Sequence, residues 1–130
     1  MVIEKPVKIG DFTITPHNVD HSAAGGLAYE IICCNKKILY TGDLRFHGRT
    51  AYFSKNLSKI KDVDYLIIEG STLDRPDQNI KTEDDVFKEM VSAFTTDKLC
   101  LVNFSSQNLD RFISVYKACL KTKKTLYLIR

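Results

Sequence analysis

Residues 10–42 consist almost entirely of β-prone runs separated by turn formers. "DFTITPH" alternates, with Phe12 and Ile14 on one side and Thr13 and Thr15 on the other, which is the period of a half-buried strand. "GLAYEIICC" is a long β-prone run, and "KKILYTG" follows it after a turn near Asn35 and Lys36, which predicts a hairpin. A chain that begins this way cannot be a helical bundle. It must build a sheet first and arrange its remaining residues around it.

The second half changes period. "DYLIIEG" is a short apolar run ending in an acid, the pattern of a buried strand. Thr82 with Asp85 forms a capping pair that predicts a helix whose apolar face is Phe87, Met90, Val91 and Phe94. "KLCLVNF" reads as another strand. "SSQN" then opens a second helix with Leu109, Phe112, Ile113, Tyr116 and Leu120 on one face, and "TLYLIR" begins a last strand. Strand, helix, strand, helix, strand favours parallel pairing with crossover connections. The fold class expected is therefore α/β, hairpin-rich in its first half and β-α-β-α-β in its second. Between the two, "AYFSKNLSKIKDVD" has weak helical periodicity and is expected to cross over the sheet. Loop formers cluster over residues 73–81, which divides the chain into residues 1–72 and 73–130.

The chain has 130 residues, one domain's worth of core, and a net charge of +3 that permits a polyanionic partner without demanding one. No apolar run is long enough to span a membrane, and the first ten residues lack the apolar core of a secretory signal. Cys33, Cys34, Cys100 and Cys119 form no CxxC pair and lie in apolar contexts, as expected of buried, reduced thiols in a cytoplasmic protein. The chain stops at Arg130 just after an apolar run, which reads as one piece of a longer polypeptide.

Two segments carry the chemistry. In "VDHSAAGG", His21 is followed by small residues that let backbone and solvent approach; imidazole is a common zinc ligand, but it also commonly bonds a turn. In "YTGDLRFHG", Asp43 closes an apolar run; such a carboxylate can bridge two metal ions or simply cap a turn. His17, four residues before His21, is separated from a helical i, i+4 arrangement by Pro16 and the glycines that follow, and it reads as a structural histidine. Arg45 and His47 suit either a phosphate contact or a solvated loop. Arg111 reads as surface or interdomain. Lys117, Lys121, Lys123 and Lys124 read as a solvated helix end.

Together, "VDHSAAGGLAYEI…KKILYTGDLRFHGR…DYLIIEGSTLDR" resembles the metallo-β-lactamase-fold hydrolases, and within them the β-CASP branch of ribonuclease J-like, RNA-processing nucleases. The order DHS, TGD, EGST carries the resemblance, and "VNFSSQNLDR" resembles the strand-to-helix segment that opens the β-CASP insertion. The resemblance implies that His21 binds one metal, Asp43 bridges two, and Glu69 is a catalytic acid. It also implies zinc as cofactor and RNA as partner. Ser71, Ser105 and Ser106 follow strand ends, where phosphate or substrate binds in sheets of this kind; Ser105 and Ser106 serve equally well as helix caps. The family's HxHxDH motif, which supplies most of the metal ligands, is absent. A chain with two recognisable ligands is expected to hold zinc weakly and to have little activity alone. It could instead be a non-catalytic binding or assembly module of the same fold, or a hydrolase of a small non-nucleic-acid ester. Missing strands would leave a sheet edge open to self-association.

Overall fold

The computed structural model describes residues 4–71 and 80–128. These divide into a sheet unit, residues 4–21 and 25–71, and a helical unit, residues 80–128 with Ser22–Ala24. The boundary expected between residues 72 and 73 lies outside the described residues.

The sheet unit holds five strands in sequence order: β1 (Val7–Ile9), β2 (Phe12–Asn18), β3 (Leu27–Cys33), β4 (Lys36–Tyr40) and β5 (Tyr65–Ile67). The first four pair antiparallel and β5 pairs parallel to β4. The β3–β4 hairpin forms as expected, but its turn is Cys34–Asn35, one residue earlier than the sequence suggested. Both residues lie in the left-handed region, φ 51° and 57°, the backbone of a two-residue turn whose twist matches its strands. Parallel neighbours need a crossover. Here it is α1 (Ala51–Asn56) with a short 3₁₀ turn (Leu57–Lys59), from the segment read as weakly helical.

Register sorts the side chains onto two faces. His17, Glu30 and Lys37 share the face that meets the α1–3₁₀ segment, where they line a cleft of about 490 Å³ with Lys59 and Lys61. Ala28 and Leu39, on that same face, are buried. Glu30 accepts from His17 Nε2 at 3.3 Å and pairs with Lys37 Nζ at 3.3 Å, so His17 is a partnered histidine, as its sequence context suggested. The other face carries an unbroken apolar row, Val7–Ile14–Ile31–Ile38–Tyr65, one residue from each strand.

The helical unit contains α2 (Glu83–Phe94) and α3 (Leu109–Thr122). Thr82 and Asp85 form the expected reciprocal capping box. Phe94 is buried with Val115, Ala118 and Cys119, and Phe87, Met90 and Val91 pack against them. The α3 face differs from expectation. Its buried residues are Ser114, Val115, Ala118 and Cys119, while Leu109, Ile113, Tyr116 and Leu120 are exposed. α2 is the helix packed against α3, and small side chains let it approach closely, which leaves the larger stripe outside.

The two strands expected over residues 98–104 and from 125 onward do not form among the described residues. Cys100, Phe104 and Leu126 still pack onto the helical core, so the apolar pattern is used. A strand also needs a hydrogen-bonded neighbour, which period-2 patterning does not provide. Among the described residues the fold is thus mixed α/β, with a five-strand sheet, three helices and one parallel pair rather than a β-α-β-α-β series. Among the cysteines only Cys119 is buried; Cys34 is exposed, and Cys33 and Cys100 are half-buried, so the expectation of four buried thiols is corrected. Among the described residues no helix is long and apolar enough to cross a membrane.

Candidate functional site

β2, β4 and β5 all run in one direction, because β2 and β4 both pair antiparallel to β3 and β5 pairs parallel to β4. Their C-terminal ends therefore lie at the same end of the sheet. His21 follows β2, Asp43 follows β4 and Glu69 follows β5. Three residues separated by 22 and 26 positions in sequence thus reach one end of one sheet.

Hydrogen bonds tie the three loops together. The Arg45 backbone N–H donates to the Asp20 carbonyl at 2.9 Å, which joins the loop after β4 to the one after β2. The Leu44 N–H donates to Glu69 Oε1 at 3.1 Å, which joins it to the one after β5. Ser71 Oγ donates to Glu69 Oε2 at 2.8 Å. Ser71 is therefore engaged with the neighbouring carboxylate rather than presented as a separate phosphate donor.

Two glycines make the close approaches possible. Gly42 has φ +56°, and a Cβ there would lie 2.7 Å from the Leu27 carbonyl oxygen. A Cβ on Gly26 would lie 2.9 Å from the His21 Cβ, so glycine is what lets this turn fold back beside the histidine. His21 is half-buried, whereas Asp43 and Glu69 are exposed.

The residue that organises the loops is Asp20, which the sequence reading passed over. Its side chain is fully buried. Its carboxylate accepts from the Gly48 N–H at 2.8 Å, from Thr50 Oγ1 at 2.7 Å and from Arg45 Nε at 3.1 Å. Its backbone N–H donates to Ser54 Oγ at 2.8 Å, at the buried side of α1. Arg45 is therefore an internal partner, not a solvated loop residue. The available signal was an acid directly before His21 and a Gly-x-Thr, Gly48 to Thr50, just beyond the TGD segment.

Ser105 and Ser106 belong to the helical unit and are exposed. Neither caps α3. Asn108 does, its side chain accepting from the Arg111 N–H at 3.0 Å, while the Ser105 carbonyl accepts from the Asn108 N–H in the turn before it. Arg111 is not a plain surface residue. Its guanidinium lies 3.1 Å from the buried carboxylate of Glu83, which also accepts from Ser114 Oγ at 2.7 Å.

Among the described residues, no three His, Cys, Asp or Glu side chains converge in a way that could hold a metal ion. A zinc site needs about three protein donors. His21 and Asp43 would offer two at most, and both Glu69 oxygens accept hydrogen bonds from the chain itself. The donor set does not fit a complete zinc centre.

No family model matches the chain, and no curated protein matches it. A solved structure does: the crystal structure of a protein of unknown function from Enterococcus faecalis V583, with a TM-score of 0.77 and 24% identity over 90% of this chain. At that identity the likeness concerns the fold alone. The chain spans about 30% of that structure's length.

Proposed function

We propose that this chain carries one side of the active site of a metal-dependent phosphodiester hydrolase, of the metallo-β-lactamase type in its β-CASP branch, and that the complete protein acts on RNA. One observation carries the proposal: His21, Asp43 and Glu69, singled out from sequence, all follow strands that end at the same end of the sheet. Ligand sites in sheets with parallel strands favour such ends. In this proposal His21 and Asp43 supply two donors toward a pair of zinc ions, Glu69 is the acid beside them, and the remaining donors come from outside these 130 residues.

An incomplete donor set favours little activity in the isolated chain. It also keeps a second function in view, a binding or assembly module that retains the fold without catalysis. Metal analysis after exhaustive dialysis, with an RNA-cleavage assay on the same sample, tests the first proposal. The expected result is less than one zinc per chain and no cleavage. Two zinc ions retained per chain, with cleavage that survives Asp43→Asn, would overturn both the incompleteness and the residue assignment.

A further inference from the structure

Side chains of neighbouring residues in a strand point to opposite faces of the sheet. Cys33 and Cys34 depart from that rule. Cys33 is the last residue of β3 and pairs with Lys36, the first of β4. Cys34 opens the turn between them with φ 51°, in the left-handed region. The turn backbone brings the two side chains to one side, and their Sγ atoms lie 3.4 Å apart. Cys34 is exposed and Cys33 half-buried.

We infer that this pair is a modification site: a hydroperoxide oxidises it to a disulfide between neighbours, and a thiol such as glutathione reopens the bond. The Cys34 thiolate attacks the terminal peroxide oxygen and the O–O bond breaks. The other oxygen leaves as an alkoxide, or as hydroxide from hydrogen peroxide, and takes up the proton that the thiol gave away. Cys34 is then a sulfenic acid. The Cys33 sulfur attacks the Cys34 sulfur and expels hydroxide, which leaves as water with the Cys33 proton. Two thiols and one hydroperoxide thus give one disulfide, one alcohol (or a water) and one water.

Geometry divides the roles. The contact with Cys34 holds the Cys33 thiol above its ordinary value, with burial and the Asp11 carboxylate adding to it. Cys33 therefore keeps its proton while the exposed Cys34 meets the oxidant, since the thiolate is the nucleophile. A resolving thiol at this distance takes the sulfenic acid to a disulfide before further oxidation to sulfinic acid.

Reversibility follows from covalent reach. Consecutive Cα atoms are about 3.80 Å apart across a trans peptide, whereas disulfides usually span about 4.4–6.8 Å between Cα atoms. The ring closes only if the turn backbone shifts, and strain of this kind makes a disulfide easier to reduce. A turn accommodates the shift readily, because the ladder ends at the Cys33–Lys36 pair. This turn lies at the opposite end of the sheet from the loops of His21, Asp43 and Glu69, and the pair's chemistry is independent of the function proposed for them.

Peptide mapping by mass spectrometry, on the reduced chain after brief treatment with hydrogen peroxide, tests the assignment. Trypsin cutting after Lys8 and Lys36 leaves both thiols on one peptide, residues 9–36, with Cys100 and Cys119 on others. The expected result is loss of two hydrogens from the 9–36 peptide, ahead of any change at Cys100 or Cys119, and full recovery after glutathione. Cys33→Ser should abolish that loss and leave Cys34 as a sulfenic acid that dimedone traps. Oxidation that begins at Cys100 or Cys119 overturns the assignment. So does a 9–36 peptide that gains oxygen, or joins another chain, without losing two hydrogens. A bond that glutathione leaves intact overturns the reversibility.

Discussion

The Asp20 carboxylate accepts the backbone N–H of Gly48 at 2.8 Å while fully buried, and this contact fixes the long loop after β4 against the end of β2. A Cβ on Gly48 would lie 2.5 Å from Asp20 Oδ1, so the position needs glycine for space. The loop's path past His21 and Asp43 is thereby set by a residue that contributes no ligand. Removing the carboxylate takes away the acceptor shared by the Gly48 N–H, Thr50 Oγ1 and the Arg45 guanidinium in a fully buried position. Asp20→Ala is expected to cost about 3 kcal/mol or more by urea denaturation, and Gly48→Ala to destabilise as well. Asp20→Asn keeps the shape and one acceptor and is expected to cost less. An Asp20→Ala variant as stable as wild type would show that the loop is held by other means.

In the helical unit, Glu83 holds Arg111 and Ser114 together from the first turn of α2. Glu83 is 4% exposed, so each change removes one of the hydrogen bonds that compensate a buried carboxylate. Ser114→Ala and Arg111→Met are each expected to destabilise. A double-mutant cycle between Glu83→Gln and Ser114→Ala should return a coupling of about 1 kcal/mol or more. Strict additivity would contradict the contact.

Lys123 ends α3 at φ 56°, where the Lys124 N–H reaches back to the Cys119 carbonyl at 2.9 Å. A left-handed backbone costs a non-glycine residue about 1 kcal/mol. Lys123→Gly is therefore expected to raise the thermal midpoint, measured by circular dichroism, and a lowered midpoint would contradict this cap.

Among the described residues, three carboxyls are held below their ordinary range: Glu4 by the backbone and side-chain N–H groups of Asn18, Asp64 by Lys36 and the Lys37 N–H, and Asp85 by Thr82. A depressed folded-state value means that the stabilisation is full above the unfolded carboxyl value and fades as pH falls through the folded one. Stability should therefore drop below about pH 4. In a carbon-detected NMR titration, Thr82→Ala should return Asp85 toward its ordinary value of 3.8 while leaving Asp64 unchanged. No movement of Asp85 would mean that the capping box is not what lowers it.

The local rules carried far in this chain. The β3–β4 hairpin, the Thr82 cap, the α2 face and the crossover helix follow from short-range pattern, because a two-residue turn or a capping pair is decided by neighbours in sequence. The α3 face did not, since an amphipathic helix carrying both Leu120 and Cys119 does not say which stripe its partner will take. The extended runs around Leu101 and Leu126 did not either, because pairing into a sheet is decided by residues far away. At the proposed site, the resemblance singled out His21, Asp43 and Glu69, and strand register explains why the loops that carry them reach one end of the sheet. Asp20 was not singled out, because its role appears only once the backbone of Gly48 and Thr50 arrives beside it.

The most direct test of the proposed site is Mn²⁺ titration of the ¹⁵N-labelled chain, following paramagnetic broadening of amide lines. Mn²⁺ here reports where carboxylate and imidazole donors share a divalent ion. The account predicts that His21, Asp43, Leu44 and Glu69 broaden together, ahead of other residues, and that Asp43→Asn removes the effect. Broadening that starts at scattered exposed acids such as Glu89, and spares this end of the sheet, would contradict it.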